Sequence, residues 1–178
     1  GETILSGLGD THLAVATGKL LRKFNLEVAL ELPRVPYRET IAQLSQSDYT
    51  HKKQSGGHGQ YARVAIEISP LPRGSGLKFG NRVVGGSVPK EFIPAVEKGV
   101  REAMVGGVIA GYPMVDVKIR LYDGSYHDVD SSEIAFKIAG SIGFKKGVPE
   151  CRPTLLEPVM VMDIVVPSEF VGDVMGDL

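Results

Sequence analysis

An α+β fold is predicted by three features of the sequence. Strand-like runs come early and in succession, at 40–49, 61–68 and 77–84, with a fourth at 113–122. Two helical patterns, one after Pro89 and one from Ser131, repeat apolar residues about every four positions. The stretch YDGSYHDVDSSEIAFKIAG, Tyr122 to Gly140, then reads as strand end, turn pair, polar loop and helix start. Strands and helices that arrive in separate runs point to α+β rather than to a repeating βαβ order.

Element by element, Thr3 to Leu8 reads as a strand. Asp10 reads as the cap of a helix whose inward face is Leu13, Ala16, Leu20 and Phe24. Val28 to Leu32 reads as a second strand, and Pro33 and Pro36 mark a junction. One helix between two strands cannot close a core, so the reading expects partner elements before Gly1. Thr40–Tyr49 and Tyr61–Ile68 are strands joined by the loop HKKQSGGHGQ. The second alternates Tyr61, Arg63, Ala65 and Glu67 against Ala62, Val64, Ile66 and Ile68. Leu77 to Val84 follows a Pro/Gly turn. Pro89 suits a helix's first turn, and that helix buries Phe92, Val96, Val100 and Ala103 before stopping at Gly106-Gly107. Pro113 to Tyr122 is the fourth strand, ending at the turn pair Asp123-Gly124. Asp130 stands three residues before Glu133, the spacing of a capping box, and the helix behind it is expected to bury Ile134, Ile138 and Ile142. From Glu157 an apolar strand, Val159 to Val166, leads to a helix opened by Pro167-Ser168-Glu169. A strand rises about 3.3 Å per residue, so a ten-residue pair carries its loop about 30 Å from the base. The last helix, about 17 residues, spans about 25 Å. Both polar loops are therefore expected at one end of an elongated domain.

Composition narrows the function classes. The chain has 178 residues, 43% hydrophobic and 23% charged, with a net charge of −1. A near-neutral balance argues against a uniformly basic coat, so any contact with nucleic acid has to be local. The sequence shows no 18-residue apolar run and no leader, and its one cysteine, Cys151, fits a reducing cytoplasm. Gln54-Ser55-Gly56-Gly57-His58-Gly59 lacks the lysine and Ser/Thr of a phosphate loop, and Gly7-Leu8-Gly9 stops short of a dinucleotide fingerprint. No nucleotide site is read here.

Two clusters carry the remaining chemistry. His51, Lys52, Lys53, His58 and Arg63 form a basic group with only Asp48 nearby, beside a bare Gly56-Gly57 backbone that a polyanion can approach closely. His127 lies beside Asp128, Asp130 and Glu133, which suggests acid–base chemistry, although the capping role accounts for Asp130 and Glu133. His12, His51, His58 and His127 show no metal-ligand spacing. An interaction tip, a solvated loop and a small hydrolase using His127 as general base all remain open at this point.

The runs HKKQSGGHGQYARV, PLPRGSGLKF, VGGSVPKEFIPAVEKGVREAM, GYPMVDVKIRLYDGSYHDVDSSEIAFKIAGS, LLEPVM and GDVMGDL closely resemble bacterial elongation factor G, the translocase family among the translational GTPases. The resemblance covers essentially the whole chain. It implies that residues 1–37 are the second half of a ferredoxin-like third domain, 38–156 the fourth domain, and 157–178 the start of a ferredoxin-like fifth. It implies a ribosomal-protein-like fourth domain, with two helices on one face of a mainly antiparallel sheet and a left-handed crossover. Its tip would enter the small-subunit decoding centre, with ribosomal RNA, transfer RNA and messenger RNA as partners, and neither a membrane nor DNA.

By the same resemblance the tip loops match Gln54, Ser55, Gly56, Gly57 and His58, and Ser125, Tyr126, His127 and Asp128, with Lys52 and Lys53 beside them. His127 matches a histidine that becomes diphthamide in archaea and eukaryotes. Its bacterial-type surroundings imply that it is unmodified here. This chain would hold no cofactor, while the full-length cytoplasmic protein would bind GTP and magnesium. Asp10-Thr11, Glu31-Leu32 and Val161 depart from the family's usual residues, which keeps a divergent copy acting in ribosome recycling or ribosome protection as the alternative.

Overall fold

The computed structural model describes residues 3–54 and 59–177. The chain divides into two compact units, Gly1–Val35 and Pro36–Leu178.

The first unit carries one helix, α1 (Asp10–Phe24). Gly9, not Asp10, is its N-cap, and Asn25 closes it in the left-handed conformation at φ 52°. Leu13, Ala16 and Leu20 are half-buried as expected, but Phe24 is 72% exposed. Neither 3–8 nor 28–32 is a strand, and neither is 159–166 near the other end. Each has the right composition, but an extended segment is stabilised by a ladder partner, and none of the three pairs with a strand among the described residues.

The second unit contains two sheets. The run expected as one strand over 40–49 is broken at 42–44 into β1 (Arg38–Ile41) and β2 (Ser45–Lys53). β1 pairs antiparallel with β6 (Pro153–Leu156), so the domain's entry and exit meet in one small ladder. The main sheet has the order β2-β3-β5-β4, with β3 spanning Gln60–Pro70, β4 Leu77–Asn81 and β5 Val117–Ser125. β2-β3 and β3-β5 are antiparallel. β4 and β5 are parallel neighbours, and their connection runs through α2 (Ile93–Val105).

α2 and α3 (Glu133–Gly147) pack on each other, and α3 also lies against β2 and β3. The core beneath them is Ala62, Val64, Ile66 and Ile68 from β3 and Val117, Ile119 and Leu121 from β5, closed by Val96, Val100, Phe136 and Phe144. Phe92, expected inside, is half-buried and stacks on Phe136 with ring centroids 4.9 Å apart. The isoleucine stripe of α3 faces the other way. Ile134 is 63% exposed and Ile138 and Ile142 are half-buried, while Ala135, Phe136, Ala139, Gly140, Gly143 and Phe144 are buried. Small residues win the inner face because the two helices approach closely. A Cβ on Gly99 would run into the Lys137 carbonyl, and one on Gly140 would stand 2.7 Å from the Val96 carbonyl oxygen. The last helix, α4 (Val171–Asp177), follows a short 3-10 turn at Ser168–Phe170, where the Pro-Ser-Glu signal put a helix start.

Two local readings near Tyr122 need correction. Asp123-Gly124 is not a turn: β5 continues to Ser125. Ala65 pairs with Asp123 while Ile66 pairs with Leu121, so Tyr122 is the extra residue of a β-bulge. Before the bulge Val117, Ile119 and Leu121 face the core; after it Gly124 does. Glycine is required there because a Cβ would strike the Arg63 carbonyl and Val88. Asp130 is not the helix cap either. Ser132 holds that position at φ −153°, and its hydroxyl accepts the Ala135 N–H at 3.2 Å.

Candidate nucleic-acid interface

β2 and β3 carry the first loop. Their pairing runs through His51–Ala62 and Lys52–Tyr61 to Lys53–Gln60, so both lysines sit on the last ladder positions rather than in the loop. Gln54 follows as exposed chain. Ser55, Gly56, Gly57 and His58 lie outside the described residues. The second loop leaves β5 at Ser125 and carries Tyr126, His127 and Asp128, all exposed, before α3 begins.

Asp130 and Ser131 fasten the second loop to the base of the first. The Asp130 carboxylate accepts the Gly59 N–H at 3.0 Å, and its backbone carbonyl accepts the Tyr61 N–H at 2.9 Å. The Ser131 hydroxyl accepts the His127 N–H at 2.9 Å and donates to the Tyr61 carbonyl at 2.7 Å. The Tyr61 phenol adds a 2.8 Å bond to the Ser125 hydroxyl. Both polar loops therefore share one end of the sheet. A cleft of about 230 Å³ lies between them, lined by Lys52, Lys53, Gln54, Tyr61, His127 and Asp130 among others.

Within this end, charge is sorted by strand. Arg63 leaves the basic group: its guanidinium is held by both carboxylate oxygens of Asp48 and by Asp123 at 3.1 Å. Those bonds, that from Asp48 above all, push its already high pKa further up. Asp123 in turn is held below the usual carboxylate range by the Gly124 N–H and by Arg63. His51 shares a 3.0 Å hydrogen bond with the Gln60 side chain. Lys52 and Lys53 are exposed and have no ion-pair partner among the described residues. Tyr49 is half-buried with the Lys146 ammonium 4.7 Å above its ring, so it is a packing residue.

The His127 ring is 58% exposed. Its Nδ1 accepts the Val129 N–H at 3.3 Å, which leaves Nε2 to carry the proton of the neutral ring and point a donor outward. Asp130 Oδ2 is 3.7 Å from Nδ1, beyond hydrogen-bond length. Two serine hydroxyls of the loop are already engaged, Ser125 with Tyr61 and Ser131 with two backbone groups. No group of three metal-ligating side chains gathers among the described residues, and no described helix is long and apolar enough to cross a membrane.

Sequence reasoning misses Asp130, Ser131 and Gly59 as the fastening. The capping-box spacing of Asp130 and Glu133 hides it.

The model of the family "Elongation factor G, domain IV" matches residues 33–152. A solved structure from Thermus thermophilus is similar over 96% of this chain at 42% identity, with a TM-score of 0.82. The chain spans about a quarter (25%) of that structure's chain.

Proposed function

The chain belongs to the elongation factor G family, and from that premise we propose that it is the tip-bearing part of a GTP-dependent ribosomal translocase. Its tip enters the small-subunit decoding centre and holds the moving transfer RNA–messenger RNA pair in the advanced position. The reading rests on the Asp130–Ser131 fastening, which keeps an exposed His127 and two exposed lysines together at one end of a rigid sheet. Lys52 and Lys53 supply sequence-independent attraction to phosphates. With Nδ1 accepting the Val129 N–H, His127 offers Nε2 as a donor to a base or a sugar. GTP hydrolysis in the rest of the protein biases the conformational change that the tip completes. Residues 1–37 and 157–178 are read as parts of the neighbouring third and fifth domains.

A stand-alone hydrolase is the weaker reading, because Nδ1 of His127 is occupied and the nearby Ser125 and Ser131 hydroxyls are committed elsewhere. A role in recycling or protection would use the same tip, and nothing in its geometry favours it.

The test is His127→Ala in the full-length protein. Rapid mixing should show translocation slowed, while ribosome-stimulated phosphate release and the melting temperature stay near wild type. Equal slowing of both steps would place His127 in GTPase coupling, and a large loss of stability would make it a packing residue.

A further inference from the structure

The open face of the main sheet holds an arrangement that sheet energetics alone disfavours. In the parallel β4–β5 ladder Lys78 lies directly opposite Lys118. Val117, Ile119, Leu77 and Phe79 turn toward the helices and the core, so both lysines emerge on the uncovered face. Like charges directly opposite in a sheet repel, and neither lysine has an ion-pair partner among the described residues. The next pair is Gly80 opposite Arg120. Glu67 of β3 neutralises that arginine through a 2.9 Å bond. Arg82, just past the end of β4, is exposed and also lacks an ion-pair partner among the described residues. Of these four cations only Arg120 has an ion-pair partner among the described residues, in a chain whose net charge is −1. Gly80 leaves the backbone between them bare, with nothing nearer its missing Cβ than 3.9 Å. A lysine on edge strand β4 can be explained as a guard against edge-to-edge pairing. Lys118 cannot, because β5 is an interior strand.

We propose that the Lys78–Lys118 pair, with Arg82, is a second docking surface for the phosphate backbone of a structured RNA, separate from the tip cleft. The two lysines stand about 4.8 Å apart at the backbone. Their flexible stems let both ammonium groups reach one phosphate run, and an RNA strand relieves the repulsion that the isolated sheet bears. Recognition is by charge and is sequence-independent. The proposal does not depend on the tip reading.

Binding of the full-length protein to an RNA duplex of about 16 base pairs, measured over a series of salt concentrations, tests it. Lys78→Ala/Lys118→Ala should weaken binding about tenfold at low salt and flatten the log–log salt slope by about one to two. Lys78→Glu sets an opposite charge across from Lys118, and should weaken binding while leaving the melting temperature unchanged or raised. Lys52→Ala/Lys53→Ala, measured in parallel, reports on the tip alone, so either surface can fail without the other. An unchanged affinity and slope in the Lys78/Lys118 variant overturns the inference, as does weaker binding of Lys78→Glu accompanied by a lower melting temperature.

Discussion

Glu39 shows how one residue can decide the shape of a loop. Its carboxylate is fully buried at the base of the domain. One oxygen accepts the N–H groups of Val108 and Ile109 at 2.6 and 3.0 Å, the other those of Ala110 and Tyr112 at 2.8 and 3.2 Å. Burial by itself would raise its pKa, but the four N–H bonds outweigh burial and the pKa falls below the ordinary 4.5. A lowered carboxyl adds stability that is complete above the unfolded value and is lost as pH falls through the folded one. Glu39→Gln would turn an amide NH₂ toward two of those donors, and should cost on the order of 2–3 kcal/mol at neutral pH. Melting curves of the two proteins should converge as pH falls from about 6 to about 3, since only the wild type loses its carboxylate there. A constant gap across that range would remove the ionised carboxylate from the account. Nothing in the sequence marks Glu39, because its partners are backbone groups of a loop 69 to 73 positions away. Asp130 is visible for the opposite reason, since it matches a local rule, and the long-range bond to Gly59 makes that rule the wrong one.

Elements are legible where the pattern reports burial directly, and misread where close approach decides. The alternation of β3 identifies its core face correctly, because a half-buried strand writes its environment into every second residue. In α3 the isoleucines repeat as well as any core stripe, yet Gly140 faces α2 while Gly143 and Gly147 face the sheet. Hydrophobic periodicity finds large apolar side chains, and it is blind to a face whose contribution is the absence of side chain. The bulge at Tyr122 escapes for a related reason: Asp-Gly is a turn signal, and here the glycine instead lets Arg63 and Val88 come close. This reading is testable at the helix pair. Gly99→Ala drives a methyl group at the Lys137 carbonyl and should destabilise by about 1–3 kcal/mol or more. Ile134→Ser, at a 63% exposed position, should change stability by less than about 0.5 kcal/mol. Denaturant titration of both variants decides it, and a larger loss at Ile134 than at Gly99 would restore the isoleucine face as the buried one.

Across the whole molecule, parts that fold by their own pairing are separated from parts that wait for something else. Pro36–Leu178 holds every described strand, whereas α1 and α4 bury no residue among those described. No glycine loop with a lysine close behind opens a helix among the described residues: α1 follows Gly7-Leu8-Gly9, but its first lysine is Lys19. A phosphate cradle needs a glycine loop feeding a helix N-terminus with a lysine close behind. The chain's glycine-rich segment instead joins two antiparallel strands, and Ser132 already caps α3 from its own side chain. The first turn of α2 is reached through Pro89 and a 3-10 turn and has no side-chain cap, and Gly85-Gly86 lie in a separate turn ahead of Pro89 rather than at the helix start. Isothermal calorimetry on the 178-residue chain should therefore show no saturable heat with GTP or GDP, with or without magnesium, at micromolar nucleotide. The full-length protein should bind both under the same conditions. Saturable binding by the chain alone would mean that nucleotide acts on the tip-bearing domain directly, and would overturn the proposed division between the tip and a GTPase elsewhere in the full-length protein.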